Sequence, residues 1–196
     1  GVPVTEFRAS IIIGAGSSSF EIIRDLVKKL RIMITPKWVN SRCEPIAIQN
    51  VITYLVECLT HDKTVGEILE IGSGEVFTYG DMMRQVASLM GKQIIMISVP
   101  VLTPRLSAYW LNLVTTVPMS IAYPLIDGLR NDTVTEDHRI RSWVPIDLKP
   151  FKEAVADALA EEELVARWTE ARRATKNYDL PDESNSLLTN KQIVTT

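Results

Sequence analysis

The 196-residue sequence has few of the residues that build metal sites, disulfide frameworks and nucleic-acid interfaces. It contains 2 cysteines and 2 histidines, and no pair among them has the spacing of zinc ligands. Cys43 and Cys58 are too few for a disulfide framework, and such usage is typical of a reducing, cytoplasmic compartment. The formal net charge is -3, so no basic excess favours a nucleic acid. We therefore expect neither a metal ion nor a nucleic acid as a partner.

The sequence also lacks the motifs of a self-contained active site. Each tyrosine is followed four residues later by a residue other than lysine, so no Tyr-x-x-x-Lys pair occurs. No Gly-x-Ser-x-Gly turn is present to expose a nucleophilic serine. The serine run from Ser17 to Ser19 has no histidine nearby in the sequence. We predict that this chain alone is catalytically inactive.

Strand patterns alternate with helix patterns along the first hundred residues. Residues 2–13 end in three isoleucines, which predicts a strand buried on both faces. Pro45 is expected to open a helix at its first position. Thr78 and Asp81 resemble a capping box, and Gly91 stands where a left-handed glycine ends a helix. The alternation favours an α/β domain with a parallel sheet, of which about two or three strand–helix units are present.

A glycine-rich turn, Gly14–Gly16, lies between the first strand and the first helix. This is the context of a dinucleotide-binding loop, in which glycines let the backbone approach a pyrophosphate. However, Ser19 occupies the third glycine position, and Thr35 and its neighbours stand where an acidic ribose ligand is expected. A plain strand-to-helix turn is therefore the favoured interpretation.

Two further segments have an open interpretation. Trp38, Asn40 and Arg42 form a polar-aromatic cluster that either binds a ligand or is a loop packed by its tryptophan. Leu106–Ile126 contains no charged residue over 21 positions, the length of a membrane span. Its polar residues and two prolines favour buried helices or an apolar pocket wall instead, and membrane contact remains the less favoured alternative.

Three stretches carry a resemblance to a known family. Gly1–Gly16 resembles the segment that follows the catalytic Tyr-x-x-x-Lys pair of extended and atypical short-chain dehydrogenases/reductases. Pro45–Leu59 is similar to the next helix, and Ile68–Lys92 to the last strand-and-helix unit of nucleoside-diphosphate-sugar-epimerase-like and NmrA-like proteins. Residues 99–118 and 124–132 resemble one bacterial branch in which a polyketide-cyclase-like domain follows, and residues 187–196 would be the first strand of that domain.

The resemblance implies the carboxy-terminal portion of a Rossmann-like, doubly wound parallel sheet with a mainly helical substrate-side subdomain. Residues 1–99 would complete the NAD(P)-binding domain, residues 100–168 would form the helical subdomain, and residues 169–196 would be a linker with the first strand of a following domain. The positions that match those flanking the nicotinamide are Ala9, Ser10 and Ile11. The positions expected at the substrate are Trp38, Asn40, Arg42, Tyr109 and Trp110.

By this resemblance the chain is part of an NAD(P)-dependent oxidoreductase- or epimerase-like protein. The intact parent would bind NAD or NADP, and this chain alone would bind neither. The glycine-rich loop and the Tyr–Lys pair would belong to a missing N-terminal half, which is the first expected partner; the small-molecule substrate is not specified. One alternative is a non-catalytic NAD(P)-sensing regulator. A second is a membrane-associated protein that handles lipid or quinone through Leu106–Ile126.

We expect the chain to self-associate, with residues 4–13 near the contact. Half of a parallel sheet leaves an unpaired strand edge, which is a template for pairing with another chain. Light scattering over a concentration series should therefore report a mass above the 22.0 kDa of the monomer. A monomer that persists at high concentration would contradict this expectation.

Overall fold

The structure, a computed structural model, describes residues 1–98, 118–128 and 131–176. The chain divides into two compact units, residues 1–160 and 161–196. Tyr109, Trp110, most of Leu106–Ile126 and the predicted strand at residues 187–196 lie outside the described residues. The domain boundaries expected from the sequence stay a prediction.

The strands of the first unit form four pairs, three parallel and one antiparallel. The parallel pairs are β1 (Glu6–Ala9) with β6 (Ile68–Ile71), β2 (Ile11–Ile13) with β5 (Pro45–Ala47), and β3 (Ile32–Thr35) with β8 (Ile95–Ser98); the antiparallel pair is β4 (Arg42–Cys43) with β7 (Phe77–Thr78). The predicted α/β class with parallel strands is therefore confirmed.

Six α-helices accompany these strands in the described residues. They are α1 (Ser18–Lys29), α2 (Ile48–Glu57), α3 (Tyr79–Leu89), α4 (Met119–Gly128), α5 (Arg139–Trp143) and α6 (Phe151–Lys176). Short 3₁₀ turns cover Lys37–Asn40, Cys58–Thr60 and Asp62–Thr64. In the second unit, α6 continues to Lys176, and the side chains of residues 161–172 are mostly exposed. Among the described residues, we find no helix that combines the length and the apolar character needed to cross a membrane.

Two clusters of buried side chains form the core. The first joins α1 and α3 with β2, β3 and the first turns of α6, and includes Phe20, Met82 and Phe151. The second packs α5 against β6, with Leu69 and Ile140 fully buried. Each large side chain buried in this way contributes about 1.5–3 kcal/mol relative to its exposed state. The second cluster therefore holds the segment that leads into α5 beside the carboxyl ends of β1 and β6.

The strands β1 and β6 separate at their carboxyl ends. Ala9 is still paired with Ile71, but the chain bends at Ser10, and Ile11 in β2 pairs with Pro45. On its other side Pro45 accepts a hydrogen bond from the backbone N–H of Ser73, at 3.0 Å. The strand β5 thus lies between β2 and the continuation of β6. We call this point of separation the fork.

The expectation that Pro45 opens a helix is wrong. Pro45 is the first residue of β5, and α2 begins at Ile48. Proline has no N–H to donate, but the first residue of a strand can do without one, while its carbonyl still accepts from Ser73. The same lack of an N–H suits the start of a helix and the start of a strand, so the local signal was ambiguous.

The predicted ends of α3 are confirmed. The Thr78 hydroxyl accepts from the backbone N–H of Asp81 at 3.1 Å, and the Asp81 carboxylate accepts from the backbone N–H of Thr78 at 3.3 Å. The hydroxyl of Thr78 also donates to this carboxylate and, as the main cause, lowers the pKa of Asp81. Gly91 follows the helix with a φ of 66°, in the left-handed region that favours glycine.

Replacing Thr78 with alanine should destabilise the protein by about 1 kcal/mol, because an N–H group in the first turn of α3 loses its acceptor. Urea unfolding curves measure this change in the free energy of unfolding. Thr78→Ser keeps a hydroxyl and should stay close to the parent. Thr53→Ala, which removes a hydroxyl bonded only to the carbonyl of Gln49, is the matched control. Equal stability of all variants would contradict the capping role.

Candidate functional site

A cavity of about 370 Å³ lies beside the fork, at the carboxyl ends of β1 and β6. Its walls are Arg8, Ala9 and Glu70 from the strands, Ser10 from the bend after β1, and the five residues from Asp132 to Glu136 from the segment that leads to α5. Open α/β sheets bind ligands at the carboxyl ends of their strands. We call this cavity the fork pocket and treat it as the candidate site.

Two hydroxyl groups meet at the wall of the fork pocket. The Oγ of Ser10 lies 2.5 Å from the Oγ1 of Thr133, and either hydroxyl can be the donor. Each hydroxyl has one hydrogen and two acceptor sites. After bonding to each other, the pair can still donate one hydrogen bond to a ligand and accept others.

The segment with Thr133 runs beside β4. The backbone N–H of Thr133 donates to the carbonyl of Arg42 at 2.8 Å, and the N–H of Glu44 donates to the carbonyl of Thr133 at 3.2 Å. Arg42 also donates to the Asp132 carboxylate, from its backbone N–H at 2.8 Å and from Nε at 2.9 Å. These two bonds, the backbone bond first, lower the pKa of Asp132. Ser10 and Arg42, predicted separately, therefore meet at one segment.

Glu70 closes another side of the pocket. Its Oε2 accepts the backbone N–H groups of Glu136 at 2.7 Å and of Asp137 at 3.0 Å. The N–H of Asp137, followed by that of Glu136, lowers the pKa of Glu70, and the nearby charge of Arg8 adds to the effect. Arg8 itself donates to Glu6 at 2.7 Å. The pocket walls thus carry three carboxyl side chains and one guanidinium.

A buried carboxylate fastens the segment with Thr133 to the fork. Glu44 is only 2% exposed. Its Oε1 accepts from Arg141 Nη2 at 2.5 Å and from the N–H of Gly74 at 2.7 Å, and its Oε2 accepts from the N–H of Thr135 at 3.1 Å. A Cβ at Gly72 would stand 2.5 Å from Oε1, so a side chain there would require the carboxylate to shift. The Glu44–Arg141 pair was not anticipated from the sequence.

An aromatic and sulfur cluster backs the pocket. Trp38 packs edge-on against Tyr79, with ring centroids 6.0 Å apart. The Nε1 of Trp38 is buried and has no hydrogen-bond partner among the described residues. The buried side chain of Tyr79 interacts with those of Thr133 and Cys43, and burial raises its pKa. Burial also raises the pKa of Cys43 to about 12, which keeps the thiol protonated and poorly nucleophilic.

The predicted site residues differ in where they lie. Ala9 and Ser10 line the pocket, whereas the side chain of Ile11 is 3% exposed and packs in the core. Arg42 reaches the pocket through Asp132 and Trp38 through Tyr79, but Asn40 is exposed at the end of its 3₁₀ turn and is not a wall residue. Tyr109 and Trp110 are outside the described residues. The roles of all these residues stay predictions. The pocket residues that sequence reasoning missed are Glu70 and the segment from Asp132 to Glu136.

The turn at Gly14–Gly16 has a structural explanation that needs no ligand. A Cβ at Gly14 would lie 2.7 Å from the Cγ2 of Ile48, so glycine permits close packing against α2. Gly16 has a φ of 79°, and the hydroxyl of Ser17 donates to the carbonyl of Ile12. These contacts support the interpretation as a plain turn. In the described part of the chain, no group of His, Cys, Asp and Glu is arranged to hold a metal ion.

No family model and no curated protein matches the sequence, but solved structures match the fold. UDP-glucuronic acid 4-epimerase of Bacillus cereus, in complex with UDP-glucuronic acid and NAD, is 12% identical and has a TM-score of 0.54 over 81% of this chain and 45% of its own. dTDP-glucose 4,6-dehydratase of Bacillus anthracis, in complex with NAD, is 13% identical, with a TM-score of 0.55 over 83% of this chain and 45% of its own.

A third solved structure, dTDP-4-dehydrorhamnose reductase of Bacillus anthracis in complex with NADP, is 8% identical, with a TM-score of 0.53 over 79% of this chain and 47% of its own. At such identities the likeness shows the fold alone. The chain therefore has the Rossmann-like fold that these three structures share, as expected, and spans slightly less than half the length of each.

Replacing Glu44 with glutamine should lower the free energy of unfolding by about 3 kcal/mol, because breaking one partner of a largely buried ion pair leaves the other charge uncompensated. The N–H of Thr135 should also exchange with solvent faster, since its acceptor is weakened. Urea unfolding and hydrogen exchange measure the two effects. Glu163→Gln, in the exposed pair with Arg167, is the control and should change neither. A Glu44→Gln protein as stable as the parent would overturn this role.

Glu70 should make stability depend on pH in the acid range. Its pKa is lowered in the folded protein, so the folded state binds fewer protons than the unfolded state there. The stabilisation is complete above the unfolded pKa of about 4.3 and is lost as the pH falls through the folded pKa. Unfolding curves between pH 6 and 3 should be flatter for Glu70→Gln than for the parent. Parallel curves for the two proteins would refute the assignment.

Proposed function

We propose that this chain forms the nicotinamide-side wall and the substrate region of an NAD(P)-dependent oxidoreductase- or epimerase-like protein. The observation that carries the proposal is the fork pocket. It lies at the carboxyl ends of two parallel strands, in a fold shared with NAD- and NADP-bound epimerases, dehydratases and reductases. Its walls include Ala9 and Ser10, the positions that the sequence resemblance aligns with the nicotinamide.

The residues of the pocket fit a nicotinamide. Its carboxamide has an N–H₂ donor and a carbonyl acceptor, which the hydroxyls of Ser10 and Thr133 can satisfy. The carboxylates of Glu70 and Asp132 have lowered pKa values and are ionised at neutral pH. Their negative charge suits the positive charge of an oxidised nicotinamide ring. When bound, that group would supply hydride transfer, and the protein supplies binding and orientation.

The remainder of such a cofactor needs groups that the described residues do not provide. The turn at Gly14–Gly16 is explained by packing, and no tyrosine or lysine of the described ranges lines the fork pocket. We assign the pyrophosphate loop and the general acid to a complementary N-terminal half of the same protein. The outer side of α2 supports this partner: Ile52, Leu55 and Val56 are about half exposed, and Leu59 beyond it is 82% exposed. A complementary half would cover these apolar side chains.

Arg42 is the best-placed candidate to hold a substrate. Its Nε is bonded to Asp132, whereas neither Nη atom has a hydrogen-bond partner among the described residues. Its side chain is 63% exposed beside the pocket. A guanidinium fixed at Nε presents its remaining N–H donors in a defined plane, which suits a carboxylate or phosphate group. We therefore expect a substrate that carries an anionic group.

Titration with NADH and NADPH, followed by quenching of tryptophan fluorescence, tests the proposal. This chain alone should show no saturable quenching. The longer protein that includes the complementary half should bind one of the two cofactors, and Ser10→Ala in that protein should weaken binding by about tenfold, since one hydrogen bond of roughly 1.4 kcal/mol is lost. Ser142→Ala removes a hydroxyl bonded only to the carbonyl of Arg139 and serves as the matched control.

Saturable binding of a nucleotide by this chain alone would refute the division between two halves. Equal affinity of the Ser10→Ala protein and the parent would refute the placement of the nicotinamide in the fork pocket. Binding by the longer protein without turnover of any sugar nucleotide or carbonyl substrate would favour the non-catalytic, NAD(P)-sensing alternative.

A further inference from the structure

One side of the ribbon formed by β3 and β8 is apolar and about half exposed in the part of the chain that the structure describes. Ile32 pairs with Ile95, and Ile34 with Ile97. Because side chains alternate along a strand, these four isoleucines project from the same face of the ribbon. They are 59%, 58%, 52% and 51% exposed, respectively. We call this surface the isoleucine face.

Packing among the described residues does not account for the isoleucine face. Met33 and Thr35 project from the other side of the ribbon and are 1% and 5% exposed, and Met96 packs against the same core. The ribbon is therefore already anchored to the protein by its inner side. A polar side chain at the four outer positions would serve a solvated surface equally well, so four adjacent isoleucines indicate a partner.

A cationic cluster adjoins the isoleucine face. Lys28, Arg31 and Lys92 line a cavity of about 300 Å³ at the amino ends of β3 and β8, where the N–H of Ile95 donates to the carbonyl of Arg31 at 2.9 Å. Lys92 donates to the carbonyl of Lys28. Among the described residues, no carboxylate forms a salt bridge with these three cations. We call them the basic end. They concentrate positive charge on a chain whose net charge is -3.

From these two adjoining features we infer that the β3–β8 ribbon docks on the surface of a bilayer that contains anionic phospholipid. The isoleucine face would enter the boundary between head groups and acyl chains, and the basic end would lie at the phosphate level. Apolar burial and attraction to anionic lipid add to each other in this kind of peripheral binding. A second copy of the chain would cover the isoleucine face, whereas an anionic lipid surface matches both this face and the three cations beside it.

The inference is independent of the proposed function. No residue of the isoleucine face or of the basic end lines the fork pocket. Lipid binding and cofactor binding can therefore be present or absent separately, and each is measured by its own assay.

Co-sedimentation with vesicles tests the apolar part. The chain should bind vesicles of phosphatidylcholine with phosphatidylserine, and it should not bind vesicles of phosphatidylcholine alone. The double substitution Ile34→Ser with Ile97→Ser should lower the partition constant at least tenfold. The control, Ile52→Ser with Val56→Ser, removes two side chains of similar exposure, 52% and 57%, from α2 and should bind as the parent does. Circular dichroism and thermal midpoints establish that all variants are folded.

A second pair of variants tests the charges. Lys28→Gln with Arg31→Gln should lower binding to the anionic vesicles by about fivefold for each charge, since one basic residue near an anionic surface contributes on the order of 1 kcal/mol. The control, Lys63→Gln with Lys152→Gln, changes the net charge by the same amount at exposed positions elsewhere. Binding should also weaken as salt is added.

Three results would overturn the inference. The first is no binding of the parent chain to either kind of vesicle. The second is binding that neither the isoleucine pair nor the cation pair weakens more than its control does, which would assign lipid contact to another part of the chain. The third is a parent chain that does not bind vesicles but forms a concentration-dependent dimer, which the Ile34→Ser with Ile97→Ser substitutions abolish. That result would assign the isoleucine face to a second copy.

Discussion

The buried carboxylate of Glu44 is the interaction on which the candidate site depends. A carboxylate removed from water must collect donors or lose its charge. Glu44 collects three, and they come from the turn after β6, from the segment before α5 and from α5 itself, through Gly74, Thr135 and Arg141. One side chain therefore holds the wall segment of the fork pocket at a fixed place relative to the strands. The shape of the site and the stability of the fold are coupled through it.

The fork explains why a pocket exists at this place. Two paired strands leave no opening between them, whereas β1 and β6 separate after Ala9 and Ile71, and β5 enters between their continuations. The segment from Asp132 to Glu136 covers the opening and brings main-chain N–H groups to Glu70. These bonds lower the pKa of Glu70, so backbone geometry extends the ionised form of this wall residue to more acidic pH.

Local sequence patterns correctly predicted those features that depend on contacts between residues close together in the sequence. The capping box at Thr78 and the left-handed Gly91 involve contacts over a few residues, and both are confirmed. Pro45 was misplaced because its missing N–H suits two kinds of element. The contacts of Glu44 with Thr135 and Arg141 join residues 91 and 97 positions apart, and no local pattern marks them. Ala9 and Ser10, suggested by family resemblance, line the candidate pocket, but their role stays a prediction, and the resemblance named no residue of the opposite wall.

The tight contact at Gly72 has a consequence for how this site can change over time. A Cβ there would stand 2.5 Å from the Glu44 carboxylate and 2.7 Å from the hydroxyl of Thr135. Any side chain at position 72 must shift the acid, and a shifted acid would weaken its bonds to Arg141 and to two main-chain donors. Single substitutions at these positions should therefore disrupt the site more than compensated combinations do. In lineages that share this fork, such epistasis should make the glycine, the acid and the arginine appear or disappear together.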